Sequence, residues 1–165
     1  MEFEVVVSGA RELEEGPPGE VALENAYRKA AAVQREGTVL GVDTIVSVGA
    51  RIYGKPADEA QARETLRVLS GRRHVVTSGV CIIDGGRART AAATTLVDFR
   101  TVEEPLLDWY LAAGEWRGRA GGYAIQGRGA ALVAGIEGDY WNVVGLPVAT
   151  LLELLPGLLP TPAGT

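Results

Sequence analysis

The chain has 165 residues, of which 47% are hydrophobic and 22% charged, and its formal net charge is -5 at pH 7. This length suits one folded domain. The acidic balance argues against binding to a nucleic-acid polymer, which needs a basic surface to neutralise phosphates. With one cysteine, Cys81, and one histidine, His74, the chain excludes an internal disulfide and a Cys/His zinc module. The same count argues against Ser-His-Asp and Cys-His catalysis.

No segment reaches the roughly 18 apolar residues of a membrane span. The N-terminus also lacks the basic flank and long apolar run of a signal peptide. We therefore expect a cytoplasmic protein without a membrane partner. The patterning predicts a single domain over residues 1–155, followed by a frayed tail over 156–165 that has few side chains to pack.

The hydrophobic periodicity predicts alternating strands and helices. In chain order these are a strand over 3–7, a helix over 23–33, an apolar strand over 38–48, a helix over 58–70, strands over 74–83 and 87–99 joined by a tight turn, a short helix ending near Gly114, a strand over 131–136 and a helix over 148–155. A capping box of Thr101 and Glu104 is expected to start the short helix. This order predicts an α/β fold with a mixed β-sheet flanked by helices.

Asp43 is the sharpest single feature, because it interrupts an otherwise apolar strand. Burying an unpaired carboxylate there would cost several kcal/mol. One interpretation is a strand-end acid that caps a backbone turn. The other places Asp43 at the mouth of the sheet, where it holds a divalent cation or activates a water, since ligands of open α/β sheets bind beyond strand ends.

Lys55 follows a glycine and precedes a proline, just ahead of a predicted helix. Such a turn lets the backbone approach a ligand, and a helix N-terminus attracts anions. An ordinary solvated loop lysine is the alternative. A carboxylate and a lysine around one pocket are what triphosphate chemistry needs, because one holds Mg²⁺ or a water and the other offsets phosphate charge.

A glycine-rich stretch, 118–129, carries Gln126, whose amide offers a donor and an acceptor to a nucleobase edge. A flexible loop is the alternative there. Glu12 and Lys29 are weaker candidates, because most exposed glutamates and helix lysines are merely solvated. Asn25 and Lys29, spaced at i and i+4, are expected on one helical face.

Five motifs in this order resemble one family over nearly the whole chain, from Phe3 to about Leu155. The motifs are Gly41–Thr44, Gly54–Pro56, Leu69–Gly71, Ala120–Gly127 and Ile136–Pro147. Together they resemble the Maf family of nucleoside triphosphate pyrophosphatases.

The resemblance implies a fold related to the inosine triphosphatases. It also implies hydrolysis of a nucleoside triphosphate between the α and β phosphates, with a divalent cation such as Mg²⁺ or Mn²⁺. Asp43 matches the family's proton acceptor, and Glu12, Lys29 and Lys55 match its charged pocket residues. Asp43 and Glu12 are thereby the expected metal ligands.

Substrate choice and assembly also follow from the resemblance. Thr44 and Gln126 match positions tied to substrate choice. The residues at both places are similar to those of the branch that acts on dTTP and UTP and differ from those of the 7-methyl-GTP branch. The family further suggests a homodimer.

The chain departs from the family pattern in two places. It lacks the opening strand and the Ser-x-Ser-Pro-Arg-Arg turn that grips phosphate in the family. Either the start was assigned too late or the protein is shortened and catalytically impaired. The second departure is Arg119, which stands where the family usually has lysine and keeps the charge without the geometry.

Three hypotheses therefore stay open: an active pyrophosphatase specific for dTTP and UTP, which we favour, a catalytically impaired nucleotide-binding relative, and a purine-preferring enzyme similar to the inosine triphosphatases. Glu24–Ala26 in the first helix suggests the third. The pattern of pyrophosphate release from different nucleotides discriminates among them.

Overall fold

The computed structural model describes residues 3–33 and 35–159. Its elements in chain order are α1 (Pro18–Ala32), β1 (Val39–Val48), β2 (Arg51–Tyr53), α2 (Glu59–Leu69), β3 (Arg73–Asp84), β4 (Arg87–Phe99), α3 (Glu104–Ala112), β5 (Val133–Glu137), α4 (Tyr140–Val144) and α5 (Val148–Leu154). Residues 156–158 of the predicted tail form a 3-10 turn, and 160–165 lie outside the described residues. Within the described ranges, every helix is too short or too polar to cross a membrane.

The strands form one sheet in the order β2-β1-β3-β4-β5. The predicted α/β class, with helices flanking a sheet, is confirmed. The pairing differs from the mixed sheet that we expected, because all four described strand pairs are antiparallel. The reason is topological. After β2, the α2 crossover returns the chain on the far side of β1, so β2 and β3 run in the same direction but flank β1 instead of pairing.

The hairpin of β3 and β4 is the longest pairing and follows the sequence prediction. Asp84 pairs with Arg87, and Gly85 and Gly86 between them have φ angles of 53° and 77°. These left-handed conformations are what a tight hairpin turn requires and what glycine adopts without strain. The predicted turn is therefore confirmed.

Helix α1 lies very close to one face of the sheet because two strand positions are glycines. A Cβ atom at Gly41 would overlap the carbonyl oxygen of Ala26, and one at Gly79 would overlap that of Ala22. Both alanines are fully buried. The short side chains at this contact bring the backbone of α1 down onto β1 and β3, so polar side chains of the helix reach residues of β1.

The main core lies between the sheet and helices α2 and α3. The predicted apolar face of α2, formed by Ala62, Leu66 and Leu69, is completely buried, and the cluster also contains Val46 of β1 and Leu107 of α3. Full burial of one leucine side chain stabilises the fold by about 1.5–3 kcal/mol. This core fixes α2, one face of which lines the candidate site.

The predicted strand over 3–7 is wrong for the described chain. Residues 3–14 form no helix or strand, and the alternating apolar side chains Phe3, Val5 and Val7 are 79%, 83% and 93% exposed. Alternation predicts a strand only where a neighbouring strand supplies hydrogen-bond partners and a face to cover. None of the described strands pairs with this segment.

The predicted capping box is also wrong. Helix α3 begins at Glu104, with Glu103 before it, and no side chain caps its first turn. Pro105 explains the start, because proline lacks the backbone N–H and fits best in the first turn of a helix. The helix therefore begins beside Pro105 and not after Thr101.

Candidate active site

A cavity of about 730 Å³ lies at the junction of α1, β1, β2 and α2. Its wall is built from the loop before α1, the middle of β1, the turn and strand around β2, and one face of α2. The lining residues are Glu12–Gly16, Asn25, Asp43–Ile45, Ala50–Pro56, Gln61, Glu64, Thr65, Val68 and Ala120. Polar and charged side chains dominate this list, so the cavity suits a charged ligand.

Asp43 lies in the wall of this cavity and is only 5% exposed. Its Oδ1 lies 2.6 Å from Nζ of Lys29, and its Oδ2 accepts a hydrogen bond of 3.0 Å from Nδ2 of Asn25. Both partners come from α1, one helical turn apart, as their spacing predicted. The buried carboxylate is thus paired and hydrogen-bonded, which offsets the cost of its burial.

Lys29 bridges two carboxylates. Its Nζ lies 2.6 Å from Oδ1 of Asp43 and 3.0 Å from Oε1 of Glu12. Burial alone would lower the pKa of Lys29. The hydrogen bonds and charges of Asp43 and Glu12 outweigh that effect and raise its pKa above the ordinary 10.5. Lys29 therefore stays protonated at neutral pH.

Glu12 links this buried pair to the second lysine. Its Oε1 lies 3.6 Å from Nζ of Lys55, which is half exposed at the cavity wall. Burial tends to raise the pKa of Glu12, but the hydrogen bonds and charges of Lys29 and Lys55 prevail and hold its pKa below the ordinary 4.5. Glu12 is therefore ionised at neutral pH.

The four candidate residues Glu12, Lys29, Asp43 and Lys55 thus form one continuous chain of charges. They come from a loop, a helix, a strand and a second loop, so the cluster exists only in the folded protein. Acids and bases alternate along the chain, so each side chain lies next to one of opposite charge.

Thr44, the first specificity candidate, lies on the opposite face of β1 from Asp43, as alternation along a strand requires. Its hydroxyl lies 2.8 Å from that of Ser78 on β3, and the Ser78 hydroxyl donates to the carbonyl oxygen of Asn142 at 3.3 Å. The Thr44 hydroxyl is therefore held by a buried neighbour, and the residue is one of those that line the cavity.

Gln126, the second specificity candidate, lies elsewhere. It is exposed in a turn of the glycine-rich stretch and is not among the residues that line the cavity. The next residue, Gly127, packs against the carboxylate of Glu115. The structure therefore does not bring Gln126 together with the charged cluster.

The glycine-rich stretch instead supports the turn that carries Lys55. The backbone N–H of Gly121 donates to the carbonyl oxygen of Gly54 at 3.1 Å, and Gly122 packs near Pro56. The φ angle of Gly121 is 67°, a left-handed conformation that favours glycine. This contact holds the residues on either side of Lys55.

Tyr123 anchors the same stretch in the core. Its hydroxyl lies 2.8 Å from Nε2 of His74, and both side chains are buried. Burial lowers the pKa of His74 to about 4, so the imidazole is neutral at neutral pH. His74 is a structural residue that holds the glycine-rich stretch and has no contact with the cavity.

Several residues that line the cavity were not singled out from the sequence. Gln61, Glu64, Thr65 and Val68 of α2 line it with the spacing i, i+3, i+4 and i+7. This spacing marks one helical stripe, beside the apolar face that the periodicity identified. The spacing of these four residues was the one sequence signal that could have identified them. Their residue types, however, do not indicate a ligand.

A protein-family comparison bears on the identity of this site. The family described as "Maf-like protein" matches residues 1–158. The chain belongs to the Maf family. The resemblance carried by the five sequence motifs is thereby confirmed.

Curated members of the Maf family are similar to the chain over most of its length. A protein from Pyrococcus furiosus is 42% identical over 160 residues, covering 93% of this chain and 84% of the relative. A protein from Deinococcus radiodurans is 43% identical over 159 residues, with coverage of 94% and 82%. A protein from Sphingopyxis alaskensis is 47% identical over 154 residues, with coverage of 88% and 81%. All three relatives are named dTTP/UTP pyrophosphatase.

Proposed function

We propose that this chain hydrolyses dTTP and UTP to the corresponding monophosphate and pyrophosphate. Membership of the Maf family and the names of the curated relatives support this substrate class. The observation that carries the proposal is the alternating cluster of Glu12, Lys29, Asp43 and Lys55. Glu12, Asp43 and Lys55 line the cavity, and Lys29 does not line it but pairs with both carboxylates. The cluster combines carboxylates that can activate a water molecule with ammonium groups that can offset the negative charge of a polyphosphate.

Asp43 is the proposed proton acceptor. A water molecule attacks the α phosphorus, its proton passes to the Asp43 carboxylate, and the bond from the α phosphorus to the oxygen bridging it to the β phosphate breaks. Both oxygens of Asp43 already accept a hydrogen bond, from Lys29 and Asn25. A carboxylate has about four lone-pair sites, so each oxygen keeps one for the water.

The charge balance of the cavity supports a divalent cation. Five carboxylates and two cationic side chains line it, namely Glu12, Glu14, Glu15, Asp43 and Glu64 against Arg51 and Lys55. A nucleoside triphosphate would add further negative charge to this excess. A bound cation is the simplest way to reduce the repulsion between the acidic side chains of the cavity and the negatively charged triphosphate.

The donor set fits magnesium or manganese held jointly with the substrate. Across residues 3–33 and 35–159, no three His, Cys, Asp or Glu side chains form a group that could hold a metal ion. Mg²⁺ commonly uses only one or two protein carboxylates and takes its remaining ligands from phosphates and water. Asp43 and Glu12 are the proposed protein ligands. When bound, the cation would neutralise phosphate charge and favour attack at the α phosphorus.

Lys29 and Lys55 would stabilise the charge that grows on the leaving pyrophosphate. Lys55 lines the cavity, is half exposed, and is held by Glu12 at 3.6 Å, a looser pairing than those of Lys29, so its ammonium group is the better placed of the two to approach a phosphate. Of the two specificity candidates, the cavity supports Thr44, because Thr44 is among its lining residues and Gln126 is not. The role of Gln126 and a homodimeric assembly rest on the family resemblance alone. Light scattering of the purified chain tests the assembly.

The experiment that tests the function is pyrophosphate release from dTTP, UTP, ITP and 7-methyl-GTP, each with Mg²⁺ and with excess chelator. We expect Mg²⁺-dependent release from dTTP and UTP and little from the other two. Preference for ITP would favour a purine-specific enzyme instead. A folded chain that releases pyrophosphate from none of them contradicts the proposal and favours a catalytically impaired relative.

A further inference from the structure

Asn25 lies beside Asp43 among the residues that line the cavity. Its side chain is 1% exposed, although asparagine is a poor residue for a helix interior. Its Oδ1 accepts a hydrogen bond of 2.7 Å from the backbone N–H of Leu13, and its Nδ2 donates to the carbonyl oxygen of Leu13 at 3.0 Å. Its second Nδ2 hydrogen goes to Oδ2 of Asp43, also at 3.0 Å.

These three bonds use both donors of the amide and its acceptor. Only a primary amide supplies this combination in one side chain. The pair of bonds to Leu13 fixes the backbone next to Glu12, while the third bond fixes the carboxylate of Asp43. One side chain therefore sets the position of two functional groups that lie 31 residues apart in the sequence.

We propose that Asn25 is a positioning residue that couples the Glu12 loop to the Asp43 carboxylate. This inference rests on the proposed pyrophosphatase activity for its kinetic consequence. Without the amide, the loop at Leu13 loses its anchor and Asp43 keeps only Lys29 as a partner. The carboxylate and Glu12 then sample more orientations, and fewer of them suit in-line attack.

Two variants test this. Asn25→Leu keeps the branching at Cγ, is somewhat larger, and removes all three hydrogen bonds. Asn25→Asp keeps the acceptor for the Leu13 N–H, removes both donors and places a second carboxylate beside Asp43. For both we expect kcat with dTTP to fall about 10–100-fold, the usual cost of losing a residue that orients a functional group. KM should stay within about 3-fold, because the amide of Asn25 is 1% exposed and spends its hydrogen bonds on Leu13 and Asp43, although the residue lines the cavity.

Cys81→Ala provides the matched control for stability. Cys81 is fully buried beneath α1 and packs against Ala26 and Ala30, away from the charged cluster. This substitution weakens the packing of the same helix without touching Asn25. The two variants are compared for their loss of melting temperature and their loss of kcat. If Cys81→Ala lowers the melting temperature as much as Asn25→Leu and also lowers kcat as much, the positioning role is overturned.

A second readout does not depend on turnover. In a ¹H–¹⁵N NMR spectrum, Asp43→Asn should shift the backbone amide resonance of Leu13, because Asn25 links the two groups. The same change made in the Asn25→Leu background should shift that resonance much less, because only the route through Lys29 and Glu12 remains. An equal shift in both backgrounds would overturn the coupling. If Asp43→Asn leaves the chemical shift of the Leu13 amide unchanged in both backgrounds, the coupling is also overturned.

The two arms separate failure of the inference from failure of the proposed function. A wild-type chain that hydrolyses none of the nucleotides refutes the function and with it the kinetic role of Asn25, whereas the NMR arm still decides whether Asn25 couples the loop to Asp43. A wild-type chain that is active, with Asn25→Leu within about 2-fold of its kcat, refutes the positioning role alone.

Discussion

Nζ of Lys29 lies 2.6 Å from Oδ1 of Asp43, so a helix lysine neutralises a carboxylate that β1 buries. The pair explains how an acid persists in an otherwise apolar strand. It also makes the two residues mutually dependent, because removing either one leaves a buried charge with fewer partners.

Asp43→Asn should separate catalysis from folding. The amide oxygen can still accept from Lys29, but the amide nitrogen then faces the Nδ2 donor of Asn25. We expect stability to fall by about 1–3 kcal/mol, because the Asn25 donor loses its acceptor while Lys29 keeps Glu12 as a partner. Turnover of dTTP should fall about 10²–10⁴-fold, the usual contribution of a general base. Steady-state kinetics and thermal melts measure both. Asp84→Asn, at the exposed end of β3, is the control, and a wild-type rate in Asp43→Asn would remove Asp43 from the chemistry.

The sequence patterns locate the centre of this site better than its periphery. Asp43 is found because it is an acid in an apolar strand, and the i, i+4 spacing correctly places Asn25 and Lys29 on one helical face. The two hydrogen bonds between Asn25 and Leu13 could not be predicted in this way, because Leu13 lies in a loop without periodicity. The acids Glu14, Glu15 and Glu64 are likewise ordinary surface residues until folding gathers them around the cavity.

The fold shows the same division. Helices α1 and α2 and the β3–β4 hairpin follow from apolar spacing and from glycines at a turn, which are local signals. The strand predicted over 3–7 fails because strand formation depends on a neighbouring strand. The pairing direction of β1 and β3 depends on the side of β1 to which α2 returns the chain, and no local pattern encodes that choice.

Lys29 should contribute to stability in a pH-dependent way. Its pKa is raised in the folded protein, so its contribution is complete below the ordinary 10.5 and is lost as pH rises through the folded-state pKa. Urea unfolding of the wild type at increasing alkaline pH should show this loss, and Lys29→Met should lose less over the same range. Burial also raises the pKa of Tyr110 to about 12, which adds alkaline sensitivity to both proteins. The difference between them isolates Lys29, and identical pH dependence would contradict its pairing.

His74 should make the fold sensitive to mild acid. Its pKa is about 4 in the folded protein and ordinarily 6.5, so the unfolded chain binds the proton first as pH falls. Stability should therefore decline between pH 6.5 and pH 4, by about 3 kcal/mol for a shift of this size. His74→Gln retains a hydrogen-bonding side chain for Tyr123 but cannot titrate, so its decline over this window should be clearly smaller. An equal decline in chemical denaturation would show that His74 is not the sensitive group.

Gly79→Ala should displace α1. The added methyl group would overlap the carbonyl oxygen of Ala22, which is backbone and cannot rotate away. We expect a loss of about 3 kcal/mol or more. Turnover should fall as well, because Asn25 and Lys29 move with the helix. Gly135→Ala on β5 is the matched control, since its Cβ would meet no atom within 4 Å. Equal melting temperatures for the two variants would show that α1 does not need this close approach.

The burial of Cys81 has a practical consequence. It is the chain's single cysteine, and burial raises the pKa of its thiol, so the reactive thiolate is scarce in the closed protein. An alkylating reagent can modify it only when α1 lifts from the sheet. The labelling rate can be followed by mass spectrometry with and without nucleotide. It then measures how often α1, the helix that carries Asn25 and Lys29, separates from the sheet.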